Sequence, residues 1–330
     1  MTRVYLDQWV WITLAGAQTG KVQSQEWNDA LVAVRWAAKH GMASFPLSRA
    51  HYLETKHMPR DDQRETIGKL MLEISRGHRM TGYTDELARA EFVVALSRHL
   101  GRRIPGQQDA RSVFGTGLGF VYGARVVGRI VRTDGQSLTD EELEMATWLE
   151  AMGNDCAELY ILCGPPHDED VPGYDPLADR LSAGEFVDLQ EDQAQRFVQN
   201  STSEHKASVL AAAEWCQLAP MVVEILGNVG MPPESIFGSR EIMETLMEDM
   251  PATYTGLQMR TLQHQNPQRK WTRNDYYDLD SLSVSGIHCD IVCTERHWAD
   301  ILHRTQLPSK YNTKVLSTPR DLVVALTSAG

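Results

Sequence analysis

Carboxylates gather beside the apolar runs at both extremities of this 330-residue chain. Asp7 closes the run at 3–7, and Glu54 lies about one turn into a helix opened by Ser48. Asp275, Asp278 and Asp280 come ahead of the apolar run at 287–294, and Asp290 and Glu295 bracket its last part. Taken singly, each acid is an ordinary helix cap or a solvated charge. Taken together, they describe a site. Ligands bind at the carboxyl edge of a parallel sheet, and acids converging there from several strand ends repel one another unless a cation joins them. Oxygen-only donors favour Mg²⁺ or Mn²⁺. One or two such ions polarise a phosphodiester and activate water.

The elements that must position these acids follow from periodicity. Residues 3–7 and 42–47 read as short strands, and 27–39 repeats its apolar residues at the helical period. Helices open at Ser48, at Asp61-Asp62 and at Thr84-Asp85-Glu86, where first-turn acids suit the helix dipole. Residues 101–136 are rich in Gly and Arg. Thr139 begins a capping-box sequence ahead of a helix at 143–152, and 165–176 is a proline-rich loop. Helical periods return at 184–199, 205–226 and 239–249, with Pro251 ending the last. The chain closes with a β-rich run at 287–294, a helix at 295–305, a strand at 313–317 and a helix with Pro319 at its first position. Strands alternating with helices at both ends predict an α/β fold. Its parallel sheet would be built from 1–60 and 272–330 and interrupted by a mainly helical insertion, 61–271.

The formal charge of −12 argues at first against a polyanion as partner. Its distribution reverses that. Residues 134–192 hold 17 acids and one base, a local −16, whereas 1–133 hold 19 bases and 12 acids, net +7. The acidic stretch reads first as a solvated surface, and second as a flap that screens a basic groove or recruits a basic partner. Basic residues also precede the third group of acids. Arg269, Lys270 and Arg273 flank Trp271, a composition that suits phosphate contacts and base stacking, with a core-anchored Trp271 as the plain alternative. Arg260 and His264 lie just upstream, and Arg49, Lys56, His57 and Arg60 flank Glu54. The sequence has no apolar run near eighteen residues and no evident signal peptide, which predicts no membrane span. Five cysteines, an odd number, argue for a reducing cytoplasm rather than a disulfide framework.

Four segments in order resemble PIN-domain nucleases. VYLDQWVWITLA resembles their opening strand and first acid, and SFPLSRAHYLE their second strand and the helix bearing the second acid. DLDSLSVSGIHCDIVCTERHW resembles the stretch with the third acid and the closing strand ending in Thr plus an acid, and TKVLSTPRDLVVAL the last strand and helix. The resemblance implies a metal-dependent endoribonuclease with Asp7, Glu54, Asp278 and Glu295 as catalytic ligands. Asp280 competes with Asp278 for the third position, and Asp290 matches an acid of PIN-like relatives. Glu295 stands where Asp is commoner, one methylene longer, and Thr294 orients the site through its hydroxyl. The implied substrate is RNA, in a toxin, phage-defence or processing setting, with a second copy or a regulatory protein as a compatible partner. The competing readings are a non-catalytic PIN-like RNA-binding or regulatory scaffold and a metal-dependent phosphatase.

Other motifs carry less. The segment from Gly16 to Lys21 falls one residue short of a phosphate loop, and Val22 stands where that loop has Ser or Thr. Gly115, Gly117 and Gly119 do not make a dinucleotide fingerprint. Cys289 and Cys293 are expected to share a strand face as core residues rather than bind zinc, and His51 with His57 to lie on a helix surface.

Overall fold

The computed structural model describes residues 1–104, 113–121, 139, 155–165, 178–197, 202–266 and 268–328. The helix expected at 143–152 lies outside them, as does most of the 101–136 and 165–176 segments. In chain order, β1 (Thr2–Leu6), α1 (Gln8–Gln18), α2 (Gln25–Lys39), β2 (Ala43–Ser44), α3 (Arg49–Lys56) and α4 (Asp61–Ser75) come first. They are followed by β3 (His78–Met80), α5 (Asp85–His99), β4 (Phe114–Thr116) and α6 (Leu118–Val121). Next come α7 (Asp155–Cys163), α8 (Ala178–Phe197), α9 (Ser203–Asn228), α10 (Glu234–Phe237), α11 (Arg240–Glu248) and α12 (Pro251–His264). The chain ends with α13 (Arg273–His288), β5 (Ile291–Cys293), α14 (Arg296–Thr305), α15 (Leu307–Lys310), β6 (Lys314–Leu316) and α16 (Pro319–Ser328).

Four strands form a parallel sheet in the order β2-β1-β5-β6. The central pair aligns Val4 with Ile291, Tyr5 with Val292 and Leu6 with Cys293, so the two extremities of the chain meet in the middle of the sheet. Alternation along these strands splits the core in two. Val4, Leu6, Ile291 and Cys293 pack with Val10, Trp11 and Leu14 of α1, Leu31 and Val34 of α2, Ile67 and Leu70 of α4, and Leu322 of α16. Tyr5, Val292 and Val315 face the other way, onto Leu282 and Ile287 of α13, Trp298 and Leu302 of α14, and Met259 of α12. Both faces are therefore covered, as a parallel sheet requires.

Several expectations shift. Helix α4 shares the first core layer, so the boundary expected at residue 60 falls inside that layer. Strand β3 runs parallel beside Leu47, just after β2, since the Leu47 N–H donates to the His78 carbonyl (3.1 Å) and the Met80 N–H to the Leu47 carbonyl (2.8 Å). The β3–β4 antiparallel pair is a small sheet that periodicity missed, its strands being three residues each. Pro251 ends α11 but also opens α12, where its missing N–H costs nothing. Arg260 and His264, upstream of Trp271, thus lie on a helix. Cys289 caps α13 and packs in the second core layer while Cys293 packs in the first, so they do not share a face.

A third core is wholly helical, with Phe92 and Leu96 of α5, Trp215, Leu218 and Val222 of α9, Leu246 of α11 and Leu257 of α12. Helix α9, 26 residues with a window of mean hydropathy 1.5, is the one helix among the described residues long and apolar enough to cross a membrane by length and composition, although Glu214, Gln217 and Glu224 interrupt its apolar residues. Its Leu210, Trp215, Leu218, Val222 and Leu226 form a buried stripe in this helical core.

Candidate active site

Strand β1 ends at Leu6 and the next residue, Asp7, caps α1. Asp7 Oδ1 accepts the Gln8 N–H (2.7 Å) and Oδ2 accepts the Thr294 hydroxyl (2.7 Å). The Asp7 N–H in turn donates to the Cys293 carbonyl (3.0 Å). Burial pushes the Asp7 carboxyl up to about 6, against the hydrogen bonds from Thr294 and Gln8 and with help from the charge of Glu295.

Glu54 is set by His51, one turn earlier on α3. The Ser48 N–H donates to His51 Nδ1 (2.9 Å), so Nδ1 is the acceptor and the ring proton sits on Nε2. That Nε2–H donates to the Leu6 carbonyl at the end of β1 (2.8 Å). Burial holds His51 down at about 4, so the ring stays neutral and the tautomer fixed. Gln8 Nε2 donates to Thr55 Oγ1 (3.0 Å), tying α1 to α3 beside Glu54. On the far side of α3, the Tyr52 hydroxyl and Arg79 both donate to Glu158 of α7 (2.5 Å each). One acid of the 134–192 stretch is thus a structural partner, while Glu185, Asp188 and Asp192 lie exposed.

Asp278 stands in the second turn of α13, and the Trp298 indole N–H donates to its Oδ2 (2.7 Å). Glu295 caps α14 immediately after β5 and is exposed. Burial first, then the neighbouring carboxylates, push Glu54 and Asp278 well above the usual carboxylate range. Asp7, Glu54, Asp278 and Glu295 repel one another in every pairing. Among the described residues none of the four is in an ion pair with a basic side chain. Nor does any group of three His, Cys, Asp or Glu side chains among them close into a metal-holding set. The site has the charge and the oxygen donors that suit a hard divalent cation, with the side chains drawn near one another rather than to one point.

The remaining expected residues divide. Asp280, two residues after Asp278 and so on another side of the helix, pairs with Arg49 (2.5 Å) and lies against Gly82. It does not join the four. Asp290 accepts the Arg3 N–H (2.7 Å) at the opposite edge of the sheet. With the strand β5 between it and Glu295, it is roughly 15 Å from the four, so a role for Asp290 as a ligand is corrected. Asp275 is buried in a capping box with Thr272 and accepts Arg269 (3.0 Å).

Trp271 is buried among Phe186 and His264, so it braces the segment and offers no free ring face for a base. Arg269 lies with its guanidinium 6.0 Å from the Trp298 ring centre, one indole away from Asp278. Lys270 and Arg273 are exposed. Arg60 pairs with Asp62. Sequence reasoning missed Gln8, His51 and Trp298. His51 was expected at a helix surface but is fully buried; its place three residues after Ser48 is the capping-box spacing that marks it. Trp298, three residues after Glu295, is the only signal that α14 turns an indole toward the site.

No protein-family model, no curated protein and no solved structure matches this chain.

Proposed function

We propose that this chain is a metal-dependent ribonuclease that hydrolyses RNA phosphodiester bonds. The observation that carries the reading is the group of four carboxylates, brought by four separate segments to the carboxyl edge of a parallel sheet without a basic partner among the described residues. Placing such charges together costs stability, and that cost is reasonable where a cation takes part. Asp7, Glu54, Asp278 and Glu295 would hold Mg²⁺ or Mn²⁺. A divalent ion there supplies charge neutralisation on the phosphodiester and activation of water.

The chain's own residues prepare the site. Thr294 and Gln8 fix both oxygens of Asp7, Trp298 fixes one oxygen of Asp278, and neutral His51 locks α3, and so Glu54, against the end of β1. RNA is preferred to DNA on the resemblance to PIN-domain nucleases alone. One observation favours a non-catalytic scaffold instead: both Asp7 oxygens already serve as hydrogen-bond acceptors within the fold. The two readings separate on a simple assay. Homogeneous protein should degrade end-labelled single-stranded RNA when Mg²⁺ or Mn²⁺ is supplied, stop on chelation, and leave 5′-phosphate and 3′-hydroxyl ends. Intact RNA at every metal concentration would favour the scaffold.

A further inference from the structure

A cleft of about 440 Å³ opens beside α13, within the range of roughly 300–1,000 Å³ typical of small-molecule sites. Tyr276, Leu279, Asp280 and Ser283 of α13 line it, at helical spacing along one side of the helix. Asp278 lies on another side. The cleft and the four carboxylates therefore flank the same helix, on the order of 10 Å apart across it. The exposed Arg273 opens this helix, and the exposed Lys270 lies three residues before it.

The lining is aromatic at one wall and polar at another. Phe186 and Tyr276 meet with ring centres 5.4 Å apart. Two ion pairs, Arg49 with Asp280 and Arg260 with Glu214, place donors and acceptors side by side and leave the inner wall neutral. The exposed Asp85 and Glu86 at the rim disfavour a phosphate inside. Gly256 borders the cleft from within α12. A glycine in a helix interior is unfavourable, yet a Cβ there would meet only Ser283, at an ordinary 3.5 Å. Nothing in the packing demands glycine; its effect is to keep the cleft open.

We infer that this cleft is a nucleobase pocket that selects guanine. A planar, uncharged ring stacks on the aromatic wall. On its Watson–Crick edge guanine presents the O6 acceptor beside the N1–H and N2–H donors, the complement of a guanidinium beside a carboxylate. The cleft's use during RNA cleavage rests on the ribonuclease reading. A strand held at the four carboxylates passes over the start of α13, past Lys270 and Arg273, and lodges a base about three stacked nucleotides away.

The test fills the cleft with Gly256→Leu, a substitution that suits the helix and leaves the four acids untouched. The probes are the four nucleoside 5′-monophosphates, titrated without metal, and a randomised RNA whose cleavage sites are sequenced with Mn²⁺ present. Wild type should bind guanosine monophosphate at least tenfold more tightly than the pyrimidine nucleotides and show a guanine preference at one position near the cut. Gly256→Leu should lose both while still cleaving. Tyr276→Ala, which removes the stacking face, should weaken guanosine monophosphate binding in the same sense if Gly256→Leu fails to fold. Cleavage by Gly256→Leu with an unchanged base preference would overturn the pocket and leave the ribonuclease reading intact. Nucleotide binding abolished by Gly256→Leu in a protein that cuts no RNA would keep the pocket and sink the ribonuclease reading. Equal affinity for all four nucleotides, or none for any, would overturn the assignment.

Discussion

The hydroxyl of Thr294 lies 2.7 Å from Oδ2 of Asp7, joining residues 287 positions apart in the chain. It is the side-chain counterpart of the β1–β5 pairing, and it fixes the carboxylate at the place where two parallel strands end. Asp7 is therefore a helix cap, a strand-end marker and a member of the repelling group of four at once. Each role gives it a different signature on substitution.

Asp7→Asn should stabilise the metal-free protein at neutral pH. The folded Asp7 carboxyl is raised from 3.8 to about 6. Folding thus favours its protonated form, and the stability it contributes is fully present below the unfolded value. That stability is lost as pH rises to about 6, a change of roughly 3 kcal/mol if this group acted alone. Asn keeps the cap on α1 without the charge. With EDTA at pH 8, Asp7→Asn should melt above wild type, and the advantage should vanish near pH 4. A variant less stable than wild type at both pH values would show that the charge is not strained.

Millimolar Mn²⁺ should raise the melting temperature of wild type, because an ion that binds only the folded state stabilises it by mass action, about 2.7 kcal/mol at a hundred times Kd. Glu54→Gln and Asp278→Asn should each reduce the shift, and Asp290→Asn should leave it unchanged, since Asp290 sits at the other edge of the sheet. An equal loss in Asp290→Asn would place the ion elsewhere.

Gly82→Ala tests the Arg49–Asp280 pair. A Cβ at Gly82 would fall 2.3 Å from Asp280 Oδ2, so the carboxylate must move and the ion pair with Arg49 must loosen. Overpacking of this kind costs about 1–3 kcal/mol. Denaturant unfolding should show that loss, and a midpoint equal to wild type would mean that the pair adapts freely.

Lys270 and Arg273 are exposed at the start of α13, the helix that carries Asp278, whereas Arg269 is engaged by Asp275. Replacing Lys270 and Arg273 together by Ala should weaken single-stranded RNA binding and flatten its salt dependence by about 0.7 in logarithmic slope per lost contact. Adding Arg269→Ala should change the slope little further. A slope unaltered by the double substitution would place the groove on another face.

Much of this arrangement was legible in the sequence because strand–helix junctions announce themselves. Asp7 follows a five-residue strand, and the strands and helices at both ends stand within a few residues of expectation. The choice between Asp278 and Asp280 was not legible. Both sit on one helix, and which side of it faces the sheet is decided by the packing of Leu282 and Ile287 under Val292. Asp290 misled because sequence adjacency to β5 does not say at which end of the strand a side chain lies. Trp271 had two readings that only burial could separate. The helix α12 was hidden because a proline that terminates one helix can begin the next.

The most direct measurement compares cleavage of a single-stranded RNA by wild type and Asp7→Asn, purified identically, in Mn²⁺ at pH 8. The expected result is a metal-dependent wild-type rate that falls at least a hundredfold in Asp7→Asn while circular dichroism shows an unchanged fold. Equal rates in the two proteins, with contaminating nuclease excluded, would contradict the assignment of the four carboxylates as the catalytic centre.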